Sequence, residues 1–88
     1  MRLTRSAHAW EDYLFWQQSD KAILAKINEL IRDTSRNPFA GLGKPEPLKA
    51  NMKGCWSRRI TGEHRLVYRI TGTDESQNLE ILQCRYHY

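Results

Sequence analysis

Apolar side chains recur at helical spacing through the first part of the chain and at every second position through the last part, and this change of period divides the molecule. Trp10, Tyr13, Leu14 and Gln17 stand at i, i+3, i+4 and i+7 while Glu11 and Asp12 fall elsewhere, which predicts a first helix with one apolar stripe. Ser6 can cap it, and Leu3 marks a short edge strand before the cap. Ser19-Asp20 interrupts the pattern and supplies a second cap. Ile23, Ile27, Leu30 and Thr34, joined by Leu24 and Ile31, then trace a second helix to about Arg36. Asn37-Pro38 ends that helix, because the residue before proline is pushed out of the α region. The pair reads as a helical hairpin.

A Gly- and Pro-rich loop follows to Pro47, and Glu46 stands in it between Pro45 and Pro47, where the flanking rings stiffen the chain. From Gly54 the period is two. Trp56, Arg58 and Ile60 alternate with Ser57, Arg59 and Thr61; Leu66, Tyr68 and Ile70 alternate with Arg65, Val67 and Arg69. These runs predict a β-hairpin around Gly62-Glu63-His64, with Thr61 opposite Arg65 so that apolar residues share one face and Arg59, Arg65 and Arg69 the other. Residues 72–78 are expected as a second turn. A last strand over 79–87 should point Leu82, Cys84 and Tyr86 to the core and Gln83, Arg85 and His87 outward, with burial of Tyr86 holding the strand end. The expected fold is α+β: a short N-terminal strand and a helical hairpin packed on one face of a small antiparallel sheet, as one domain over residues 1–88.

Composition narrows the class. With 88 residues, 40% of them hydrophobic and three Trp, the chain can build one modest core and no second domain. No apolar run approaches the roughly 20 residues of a membrane span, and the N-terminus lacks the apolar segment of a signal peptide, so a cytoplasmic protein is expected. Cys55 and Cys84 form no metal-ligand pair and read as small buried hydrophobes. His8, His64 and His87 are too scattered for a metal site, and no Gly-rich phosphate loop is present, so neither metal nor cofactor is indicated.

Charge adds the chemistry. Residues 44–69 hold seven Lys/Arg (Lys44, Lys49, Lys53, Arg58, Arg59, Arg65, Arg69) against Glu46 and Glu63, a local +5 in a chain whose total is +4. A basic segment that also carries a carboxylate and imidazoles suits a phosphate-bearing polymer; a solvated strand face and an ordinary surface Glu46 would give the same pattern. Cleaving RNA without a metal takes a base for the 2′-hydroxyl proton, cations for the phosphate and an acid for the leaving 5′-oxygen. Glu46, Arg59 with Arg65, and His87 have the chemistry for those roles.

Six segments also resemble a known family: W-E-D-Y at 10–13, K-I-N-E-L-I at 26–31, G-K-P-E-P-L-K at 43–49, W-S-R-R-I-T at 56–61, E-H-R-L-V-Y at 63–68 and the terminal C-R-Y-H-Y at 84–88. In this order they resemble the YoeB/Txe toxins of bacterial type II toxin–antitoxin systems, within the RelE/ParE superfamily. The resemblance implies a RelE-like microbial RNase fold and an mRNA interferase that enters the ribosomal 70S A site and cuts translated mRNA. It also implies neutralisation by a YefM/Phd-type antitoxin, contact with operator DNA only through the antitoxin complex, and a homodimer with Trp10 and Trp16 as interface candidates. Carried over by position, Glu46 is the general base, His87 the general acid and Arg65 the transition-state clamp, with Lys49, Arg59 and Tyr88 in support of RNA and phosphate binding. Two departures stand out, a longer turn at 72–78 and Cys55 where a bulkier residue is expected. A gyrase-blocking toxin of the same fold and a non-enzymatic RNA-binding module are the alternative functions.

Overall fold

The computed structural model describes residues 1–87. Its elements are β1 (Arg2–Arg5), α1 (Ala7–Ser19), α2 (Lys21–Arg36), β2 (Glu46–Pro47), a 3-10 turn (Ala50–Met52), β3 (Trp56–Arg59), β4 (Arg65–Thr73) and β5 (Ser76–Gln83). The caps are those the sequence offers: Ser6 Oγ accepts the Ala9 N–H, and Asp20 Oδ1 accepts the Ala22 and Ile23 N–H groups at 3.0 and 3.1 Å. The two helices cover one face of a five-stranded sheet ordered β1-β5-β4-β3-β2, giving the α+β arrangement expected. The sheet is mixed, because β1 joins the edge parallel to β5 while the other pairings are antiparallel. No helix of the described residues is long and apolar enough to cross a membrane.

Ile27 and Leu30 of α2 pack with Leu66, Tyr68, Leu79, Ile81 and Cys84 of the sheet side in one buried cluster. On α1 the buried positions are Ala9, Asp12 and Trp16 rather than the stripe through Trp10, Leu14 and Gln17. The reason is polar. Asp12 Oδ2 accepts the Cys84 N–H at 3.0 Å and the Trp16 indole donates to the Cys84 carbonyl at 2.8 Å, so α1 turns toward the sheet the two side chains that satisfy a buried peptide. Trp16 is therefore core and leaves the list of interface candidates, whereas Trp10 is 38% exposed. Burial, with the Asp12 charge beside it, pushes the Cys84 thiol up to about 12, which suits an inert core residue. Cys55 is only half-buried.

Three strand expectations shift. In the β3–β4 hairpin Arg59, not Thr61, faces Arg65, and the loop spans residues 60–64; the slip is by two, so every side chain keeps its predicted face. The second hairpin is tighter than expected, since Thr73 already pairs with Ser76. A bulge between Val67 and Tyr68 then makes Ile81 pair with Tyr68 and Gln83 with Val67, so Leu79, Ile81 and Cys84 point inward and Leu82 does not. Tyr86, expected in the core, is 57% exposed.

Arg58 is the other correction. Its side chain is 0% exposed and lies on the helix side, where Nη1 donates to Asp33 Oδ2 (2.6 Å) and the Leu42 carbonyl (3.0 Å). Nη2 donates to the Asn37 and Ala40 carbonyls at 2.5 and 2.9 Å, and Nε to the Tyr68 hydroxyl at 3.2 Å. Its charge is spent inside and not on the basic face. Burial raises the Tyr68 phenol above its ordinary value. Asp33 also accepts the Leu42 N–H, and that bond together with Arg58 holds its carboxyl below the ordinary 3.8. A depressed folded-state value adds stability that is present above 3.8 and lost as pH falls through the lower value. Asp33→Asn should therefore lower the urea midpoint at pH 7, with the gap to the natural chain closing only below about pH 3.8; a gap unchanged down to pH 2 would contradict this.

Candidate active site

The open face of the sheet collects the odd-numbered residues of β3 and β4. Glu46 pairs with Ser57 across β2–β3, Ser57 with Val67 and Arg59 with Arg65 across β3–β4, so all five residues share the face turned away from the helices. Lys44, Glu46, Ser57, Arg59 and Arg65 line a small cleft of about 70 Å³ there. Ser57 forms its buried floor. Two guanidinium residues directly opposite one another repel, and such a pair is favoured where an anion comes between them. The cleft thus sets two cations opposite a carboxylate.

Each wall is held from behind. Pro45 and Pro47 flank Glu46, and the Arg59 N–H donates to the Gly43 carbonyl at 2.7 Å, binding the incoming loop to β3. Gly43 has φ 78°, and an added Cβ would lie 2.9 Å from Leu30 Cδ2 and 3.1 Å from Arg58 Cβ, so only glycine lets the loop pass this close. Arg65 Nη1 donates to the Thr61, His64 and Gly62 carbonyls at 2.6, 3.0 and 3.3 Å. That grip fixes the guanidinium against the loop of its own hairpin.

His87 comes from the chain end, which continues beside β4 after β5 stops. The Arg65 N–H donates to the Tyr86 carbonyl at 3.1 Å, and Gln83 Nε2 donates to the Arg85, Tyr86 and His87 carbonyls at 2.9, 3.4 and 3.2 Å. His87 Nε2 lies 3.4 Å from the Gly62 carbonyl, the same oxygen that Arg65 Nη1 approaches. A carbonyl only accepts, so in this contact the imidazole proton is on Nε2. Glu46, Arg59 and Arg65 stand on β2, β3 and β4 in turn and the tail runs along the other side of β4, so the carboxylate and the imidazole come from opposite sides of the two cations.

The remaining candidates fall less centrally. Lys49 lines an adjoining depression that it shares with Glu46 and Pro47 and does not line the cleft. Arg69 pairs with Glu80 at 2.5 Å, and Arg58 is buried, so the basic face is narrower than the sequence count implies. Tyr88 lies outside the described residues. Among the described residues no group of three or more His, Cys, Asp or Glu could hold a metal ion. Sequence reasoning counted Lys44 only among the basic residues and missed Ser57 and Gln83; Ser57 at least was legible, since it shares the face of Arg59.

Residues 5–88 match the family profile of YoeB-like toxins of the bacterial type II toxin-antitoxin system. The chain belongs to that family. It is 62% identical over its full length to the toxin YoeB of Escherichia coli K12, and the alignment covers all of that protein too. The structure of a YoeB/ParE toxin from Agrobacterium tumefaciens superposes with a TM-score of 0.95 at 58% identity, each chain covered completely. A YoeB dimer and a heterotetrameric YoeB–YefM complex, both from Staphylococcus aureus, each match at TM-score 0.86 and 47% identity over all of this chain and 98% of the other. Within the YoeB family frame, the cleft and the tail are the parts of this chain with groups suited to acid–base work.

Proposed function

We propose that this YoeB-family toxin is a ribosome-dependent endoribonuclease that cuts translated mRNA in the A site without a metal. Glu46 takes the 2′-hydroxyl proton, the freed oxygen attacks the adjacent phosphorus, and His87 gives its proton to the departing 5′-oxygen. Arg65 and Arg59 hold the non-bridging oxygens and take up the charge that grows there. The products are a 2′,3′-cyclic phosphate and a 5′-hydroxyl. The observation that carries the reading is the placement of a carboxylate and paired guanidinium groups on one open sheet face, with the imidazole beside Arg65 at the Gly62 carbonyl they share.

In this reading Lys49 and Tyr88 assist by gripping RNA. The partners are mRNA on the ribosome, a YefM/Phd-type antitoxin that silences the toxin, operator DNA through the antitoxin complex, and a second copy of the chain; the setting is the cytoplasm.

The deciding experiment uses programmed ribosomes carrying a message with a single 2′-deoxy residue 5′ of the scissile phosphate. Cleavage of the all-ribose message, with a cyclic phosphate end, and none of the deoxy message is expected. Cutting of the deoxy message at the same bond would end the proposal.

Arg65→Lys is not a mild change in this scheme. An ammonium keeps a point charge but cannot span two oxygens, and it cannot reproduce the three-carbonyl grip that aims the side chain. Single-turnover cleavage should fall about 10²-fold with RNA affinity altered only slightly. A lysine variant cutting at the natural rate would remove Arg65 from the site.

A further inference from the structure

His64 closes the β3–β4 hairpin loop and is half-buried between two aromatic rings. Its centroid is 4.7 Å from the Trp16 indole at an edge-on 79°, and 5.7 Å from the Tyr86 phenol. Its Nδ1 accepts the Tyr86 N–H at 2.8 Å. A ring nitrogen that accepts carries no proton, so the neutral ring must hold its proton on Nε2. The next residue completes the grip, because the Arg65 N–H donates to the Tyr86 carbonyl. Both polar groups of Tyr86 are thus tied to two consecutive residues, one position before His87.

What this grip holds is an unusual backbone. Tyr86 has φ 65°, a left-handed conformation that a tyrosine keeps only when its surroundings impose it. Its side chain gives no core anchor, being mostly exposed. The anchoring of Cys84 by Asp12 and Trp16 lies two residues back, and between them the Arg85 guanidinium rests over the Phe15 and Tyr86 rings at 3.4 and 4.5 Å. The left-handed turn therefore depends on hydrogen bonds to its peptide groups.

We propose that His64 is a positioning residue for cleavage, whose unprotonated Nδ1 holds the Tyr86 peptide in the turn that sets His87 beside the Arg65 guanidinium. The inference rests on the reading of His87 as proton donor. It assigns to the histidine of E-H-R-L-V-Y a role that neither its spacing nor its charge suggests. Losing the acceptor leaves the tail tethered through the Arg65 N–H and Gln83 Nε2 but unfixes the turn at Tyr86, so rate should fall while RNA affinity stays.

Two variants test this. His64→Phe keeps a ring against Trp16 but offers no acceptor, whereas His64→Asn can place its amide oxygen near the position of Nδ1. Single-turnover cleavage on programmed ribosomes should fall about 10²-fold for the Phe variant at unchanged affinity and melting temperature, and recover most of that loss in the Asn variant. Independently of activity, ¹⁵N NMR of the natural chain should show an unprotonated His64 Nδ1, and the Tyr86 amide should resist exchange in the natural and Asn chains but not in the Phe chain. A proton on Nδ1, natural-rate cleavage by the Phe variant, or equal losses in both variants would overturn the proposal. His87→Gln run alongside separates the two failures. Natural-rate cleavage by it overturns the proton-donor reading, whereas slow cleavage by it beside fast cleavage by His64→Phe overturns the anchor alone.

Discussion

His87→Gln is expected to cut ribosome-bound message about 10²–10⁴-fold more slowly than the natural chain, the range over which a positioned proton donor contributes, while melting at nearly the same temperature. The imidazole is exposed, so its loss opens no cavity. The tail it rides on is held by bonds to main-chain groups, from the Arg65 N–H and from Gln83 Nε2, and the substitution leaves these in place. A glutamine amide can still donate to the Gly62 carbonyl that His87 Nε2 approaches, so the chain end keeps a reason to stay. What the amide cannot do is release a proton to an alkoxide. Single-turnover rates measured beside melting curves and RNA binding separate chemistry from fold. Natural-rate cleavage, or a loss that merely tracks a drop in stability, would show that His87 is not the acid.

The same tail marks the limit of what the pattern of side chains could tell. Period-two alternation gave β3, β4 and the faces of Arg59 and Arg65, and a register slip of two residues left those faces intact. It could not foresee the bulge between Val67 and Tyr68, because one extra residue reverses every position after it without changing local composition. Leu82 was therefore placed inside by parity and is not in the core, whereas Tyr86 is outside because β5 ends at Gln83 and the chain turns at its φ of 65°. Helix α2 was legible because its buried face is apolar apart from Thr34, and because Asp20 and Asn37-Pro38 bound it. Helix α1 was misread by about one position because Asp12 and Trp16 face inward to serve the Cys84 peptide, a partner no local pattern reveals. The candidate site was legible where a residue type has few structural uses, as with Glu46 between two prolines. It was hidden where function is served through the backbone, as with His64.

Arg58 shows the same limit from the side of charge, and its replacement should have the largest effect on stability. An arginine between Ser57 and Arg59 reads as part of a basic strand, yet its guanidinium donates to Asp33, Tyr68 and three carbonyls of the 37–42 segment. Arg58→Met fills a similar volume and leaves those partly buried acceptors without the donor that gathers them. Losing hydrogen bonds made by a charged group typically costs about 1.5–3 kcal/mol, and for a chain of 88 residues this lowers Tm by roughly 10 °C or more. Function should suffer as well. The segment that Arg58 gathers leads directly into Gly43, which meets the Arg59 N–H, and then into Glu46. Loosening it displaces the carboxylate from the cleft even in molecules that remain folded. Cleavage measured well below the lowered Tm should therefore remain slow, and Arg58→Lys, with one ammonium for five bonds, should recover little of either loss. If Arg58→Met melts within a few degrees of the natural chain, the buried guanidinium is not what holds the loop.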